Sequence, residues 1–129
     1  MNAPLKLPAV KNQVSEAEWR TRVDLAACYR LIAHYGMSDL VYNHATARIP
    51  GTEHVLINAY GLLYTEVTAS SLITIDIDGQ VIHPGNTDLD VNRAGYVIHS
   101  AVHAARPDVG CVIHTHTRAG VAVSAQKAQ

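Results

Sequence analysis

Two stretches of helical period bracket a block of short β-rich runs, and this change of period is what most limits the fold. "HVLIN" (54–58), "SLITID" (71–76) and "QVIH" (80–83) read as short strands. Asp78-Gly79 falls between the last two and signals a tight antiparallel hairpin. Ahead of them, "DLVYNHATARIPG" (39–51) alternates and stops at Pro50-Gly51. On the N-terminal side, Ser15 and Glu18 have the spacing of a capping box, so a helix starts near Glu16 and ends at Gly36. On the C-terminal side a second helix is expected from Asn92 to Ala105, stopped ahead of Pro107 because the residue before proline avoids helical geometry. "GCVIHTH" (110–116) then reads as a strand and "RAGVAVSAQ" (118–126) as the opening turns of another helix. Helix, antiparallel strands, helix, strand, helix is a mixed α/β order in which helices layer on a sheet.

With 129 residues, 48% of them hydrophobic and 16% charged, the chain suits one folded domain and not a disordered segment. Its formal net charge is −1 and its Lys and Arg residues are scattered, which argues against nucleic acid as a partner. No apolar run approaches the roughly 20 residues of a membrane span. "MNAPLKLPAVKNQ" lacks the apolar centre of a signal peptide, so a cytoplasmic location is expected. Cys28 and Cys111 form no CxxC unit and read as buried thiols. Residues 1–14 read as a flexible N-terminal arm and 15–129 as the domain. The last helix reaches Gln129 without a cap, so the C-terminal part of the domain is expected to be missing.

The chemistry centres on His114 and His116, separated by one threonine. On a strand, residues i and i+2 project from one face with Cβ atoms about 6–7 Å apart. Two imidazoles so placed can reach one divalent ion at about 2.0–2.1 Å; equally, they can be ordinary hydrogen-bonded histidines. His99 and His103, at i and i+4 on a helix, form a competing pair. Ser100 stands where a zinc-peptidase helix needs glutamate, so packing or bonding to neighbours is the reading for that pair. Asp76 and Asp78 flank a turn, Ser70 and Ser71 precede a strand, and Glu66 lacks a carboxylate partner. GxSxG, GxxxxGK[ST] and a strand-linked GxGxxG are absent from the sequence.

Three stretches resemble the class II aldolase/adducin family: "HSAVHAARPDVGCVIHTHTRAGVAVSA" (99–125), "YNHATARIPG" (42–51) and "INAYGLLYTEVTASSLITIDIDG" (57–79). The resemblance covers about residues 16–129, and the ARPD turn leading into the HxH pair is its most specific part. It implies a three-layer α/β/α domain with a central, mainly antiparallel sheet, often assembled as a homo-oligomeric tetramer. It also implies a divalent metal, zinc foremost, acting on a small-molecule substrate. Carried over by position, His114 and His116 are two of the zinc ligands, while the third histidine falls downstream of this chain. The catalytic glutamate falls on Gly95, and its flanking phosphate-binding serines fall on Arg93 and Ala94. Asn43 and His44 take the substrate-binding position of the first hairpin, and Tyr60 and Gly61 that of the phosphate loop. A glycine cannot move a proton, so the base must come from elsewhere, with Tyr60, Tyr64, Glu66 and His44 as candidates. "VNRAGYVIHSAVHAARPD" is closer to the adducin branch. The expected chemistry is of aldehyde-lyase type on a hydroxy-carbonyl compound, through a metal-stabilised enediolate; the alternative is a noncatalytic, adducin-like interaction domain.

Overall fold

The computed structural model describes residues 9–127. Helix α1 spans Glu16–His34, with the Ser15 hydroxyl accepting from the Glu18 N–H at 3.1 Å. The second half of a capping box, Glu18 reaching back to residue 15, is replaced by an inward ion pair. Glu18 Oε1 meets Arg22 Nη2 at 2.8 Å and accepts from Thr74 Oγ1 at 2.7 Å. Four short strands follow: β1 (His44–Arg48), β2 (Val55–Ile57), β3 (Ile73–Ile75) and β4 (Val81–His83). Helix α2 (Arg93–Ala105), β5 (Cys111–His114) and α3 (Arg118–Ser124) complete the order.

The five strands form one sheet in the order β4-β3-β2-β1-β5, and every neighbouring pair is antiparallel. Register and alternation assign its two faces. Ala45 and Ala47 of β1 join Leu56 of β2 and meet Leu25, Ala26, Tyr29 and Ile32 of α1 in one buried cluster. On the opposite face, Val55, Ile57, Ile73 and Ile75 pack with Ala59, with Val91 and with Tyr96 of α2. Helices therefore cover both faces, which is the three-layer α/β/α arrangement expected. Tyr29 ties α1 to the sheet: its hydroxyl accepts from the Ala45 N–H at 2.9 Å and donates to Asn58 Oδ1 at 2.8 Å.

Three details depart from the sequence reading. The alternation from residue 39 suggests a long first strand, yet β1 begins at His44. Asn43 holds the preceding residues as a loop, its Oδ1 accepting from the Asp39 N–H at 3.2 Å and its Nδ2 donating to the Met37 carbonyl at 3.0 Å. Cys111 is exposed and Cys28 half-buried, against the expectation of two buried thiols. Cys111 lies on β5, an edge strand of the described sheet, directly opposite Ala47 and so on the face that carries α1. Of the expected arm, residues 1–8 lie outside the described residues, while Val10–Asn12 form a short 3-10 turn with Val10 buried. At the predicted hairpin, Asp76 Oδ1 accepts from the Asp78 and Gln80 N–H groups, and Gly79 takes φ +82°, which a side chain disfavours.

Candidate metal centre

The β1–β5 register sets His44 directly opposite His114, on the face covered by α2. Asn92 caps α2, its Oδ1 accepting from the Ala94 N–H at 3.1 Å, and this aims the first turn at β1. Gly95 lies over the His44 ring, and one turn further His99 stands beside it with ring centroids 4.4 Å apart. The contacts continue outward, His44 to His114 at 5.0 Å and His114 to His116 at 4.7 Å between centroids. Four imidazoles thus run from the α2–sheet interface to the surface: His44 and His99 are buried, His114 half-buried and His116 exposed.

His116 lies beyond the end of β5, so strand alternation is not what brings it to His114. The pair converges all the same, with Nε2 to Nε2 at 3.1 Å. Asp39 Oδ2 lies 2.8 Å from His116 Nδ1. A carboxylate there retains the proton on Nδ1 and leaves Nε2 bare, the orientation a metal-binding imidazole requires. On the buried side, one nitrogen from each of His44, His99 and His114 lies within 4.8 Å of the other two. Burial, reinforced by the His114 ring, pushes His44 down to about 4. Burial, with His44 and His103 adding to it, pushes His99 down to about 3. Burial and then His116 lower His114. His44, His99 and His114 are therefore neutral near pH 7, as ligation demands, and the donor set suits a borderline metal such as zinc.

The remaining sequence candidates lie elsewhere. Asn43 is buried, with its amide engaged in its own loop. Tyr60 is exposed and bonds through its N–H to the Asp90 carbonyl; Gly61 lies beside Leu89. Tyr64 is buried edge-on against Tyr29 in the α1-side core, where burial and then Cys28 push its hydroxyl up. Glu66 is exposed and accepts from the Leu63 N–H at 2.8 Å. His103, as expected, bonds to a neighbour, its Nε2 lying 2.9 Å from Thr46 Oγ1. His99 bonds to the same hydroxyl at 2.8 Å and also joins the cluster. The i, i+4 spacing marks those two residues; what it lacks is the information that β1 lies beneath the helix.

The model of the Class II Aldolase and Adducin N-terminal domain matches residues 23–129. A Pseudomonas aeruginosa protein named for aldolase class 2 is 56% identical over 128 residues, covering 98% of this chain and 49% of that protein. Mouse alpha-adducin is 54% identical over 107 residues, 82% of this chain and 15% of its own length. The solved structure of L-fuculose 1-phosphate aldolase from Glaciozyma antarctica superposes with a TM-score of 0.77 at 34% identity, over 95% of this chain and 48% of that one. The chain thus spans about half the length of the bacterial relative and of the solved aldolase.

Proposed function

This chain belongs to the class II aldolase and adducin family, and on that premise we propose that its protein is a divalent-metal enzyme, with zinc as the ion, performing aldehyde-lyase-type or related carbonyl chemistry on a small hydroxy-carbonyl compound. The observation that carries the reading is the convergence of His114 and His116, Nε2 to Nε2 at 3.1 Å. A bound ion would supply Lewis-acid stabilisation of the negative charge left on oxygen as a carbon–carbon bond breaks. Asp39 holds His116 in the ligating tautomer. The β1–β5 ladder fixes the His114 backbone, and the α2 cover keeps the inner side of the cluster dry. The resemblance puts the substrate-binding positions at Asn43, His44, Tyr60 and Gly61; of these, Asn43 would act indirectly, by shaping the loop that carries Asp39. Of Tyr60, Tyr64, Glu66 and His44, it is His44 whose ring adjoins His114, a place that suits a ligand of the same ion better than a base.

A cytoplasmic location and a homo-oligomer, a tetramer by family resemblance, go with this proposal. Among the described residues, no helix is long and apolar enough to cross a membrane. Val97 and Ile98 on α2 and Val121 and Val123 on α3 are exposed apolar side chains available to an assembly contact. A second reading, a noncatalytic interaction domain, is favoured by Gly95 at the position where the resemblance places the acid–base glutamate.

Elemental analysis of the purified protein, with turnover assays on short hydroxy-aldehydes and hydroxy-ketones in free and phosphorylated form, decides between them. The expected result is about one zinc per chain, lost together with turnover in His114→Ala. Protein with no metal and no turnover, unchanged by that substitution, would sink the enzymatic reading.

A further inference from the structure

His44 and Gly95 share one volume. A Cβ at position 95 would lie 3.0 Å from Cδ2 and Nε2 of the His44 ring and 3.1 Å from Cε1, closer than such atoms ordinarily pack. The imidazole delivered from β1 therefore occupies the place that a side chain on the first turn of α2 would take. Where the resemblance expects a glutamate reaching down from the helix, this chain brings a nitrogen base up from the sheet.

The nitrogens around that place are poorly partnered. Nε2 of His99 and Nδ1 of His114 are buried and without a hydrogen bond among the described residues, and the buried His44 ring has the Gly95 backbone as its polar neighbour. Buried polar atoms left unpaired are rare, and each costs about 1–3 kcal/mol. The three side chains are close enough for a single ion to satisfy a nitrogen from each.

The hydrogen bonds behind His99 favour the same outcome. Thr46 Oγ1 bonds to His99 Nδ1 at 2.8 Å and to His103 Nε2 at 2.9 Å, yet it carries one hydrogen. It can therefore donate to one ring at most and must accept from the other. With the Nδ1–H of His99 as the donor to Thr46, His99 Nε2 is bare and faces the cluster, as an oriented metal ligand requires.

We propose that His44 and His99 complete the metal centre from its buried side, so that β1, α2 and β5 of this chain each supply a donor and Gly95 leaves the room His44 needs. The proposal rests on the reading of His114 as a metal ligand. Imidazole ligands bind in their neutral form, so they leave the ion its full positive charge toward a substrate oxygen.

Zinc titration of the metal-free protein against a chromophoric chelator, followed by imidazole ¹⁵N NMR, tests it. The ring nitrogens of His44 and His99 should shift when zinc is added. His44→Asn and His99→Gln should each weaken binding about tenfold or more, since even outer-shell partners of metal ligands are worth about 10–100-fold. Gly95→Ala deletes no side chain and favours the helix; it should fold, push the His44 ring aside and weaken zinc binding measurably. If the wild-type protein binds no zinc, the metal reading of His114 fails and this proposal with it. If zinc binds and His114→Ala abolishes binding, while His44→Asn and Gly95→Ala bind as wild type and the two rings stay unshifted, the proposal alone is overturned.

Discussion

Thr46 serves two buried imidazoles with one hydroxyl, which makes it the most exposed to test of the single residues around the site. Thr46→Val keeps the shape and strips both bonds, leaving two ring nitrogens unpaired in the interior. The expected loss is about 2 kcal/mol or more, read from the urea midpoint at constant slope. The buried rings also set a pH dependence. An unfolded histidine titrates near 6.5, whereas His44 is held at about 4 and His99 at about 3. Between those values the unfolded chain binds more protons than the folded one, so stability rises with pH across the window. It is fully present above about 6.5 and lost progressively as pH falls through about 4 for His44 and toward about 3 for His99. Thermal melts in chelator should therefore show a lower Tm near pH 5 than near pH 7.5; equal values would refute the burial argument. The HxH pair could be read in the sequence because its two members are neighbours along the chain. The fit of His44 against Gly95 could not, since 51 positions separate them and only the packing of α2 on β1 brings them together.

At the scale of elements, α1 is docked by a buried charge. Arg22 is fully buried; it pairs with Glu18 and donates to the Leu72 carbonyl at 2.6 Å and to Thr74 Oγ1 at 2.7 Å. Arg22→Ala should destabilise the fold by about 3–5 kcal/mol, because Glu18 and the end of β3 lose their partner together. Chemical denaturation checks the figure, and a loss below about 1 kcal/mol would show that α1 docks through its apolar stripe alone. The helix starts were legible because Ser15 and Asn92 cap locally, by bonds to residues two or three positions on. The start of β1 was not. Residues 39–43 alternate as a strand does, yet the Asn43 amide binds two backbone groups of its own loop and prevents the extension. Glu18 shows the same conflict on a smaller scale, with a tertiary partner displacing the local one that its spacing suggests.

Across the whole molecule, the layered order followed from the sequence, since each change of hydrophobic period corresponds to a change of element. The exposure of Cys111 and Ile113 did not follow, because the sheet order that makes β5 an edge is a property of topology and not of any local pattern. That edge position has a consequence for motion. Within the described sheet β5 is an edge strand, paired with β1 alone through residues 111–114, so it is held from one side only and can open without disturbing the strands beyond β1. An ion bound to His44 and His114 would fasten across that one ladder. Backbone amides of β5 should then exchange with solvent deuterium markedly more slowly once zinc is added, while those of β2 and β3 change little. Uniform slowing across the sheet would mean that the ion stabilises the fold globally and does not pin its outermost strand. In the pinned case, whatever loosens β5 also loosens the ion, and metal release becomes a measure of how often the edge of the sheet breathes.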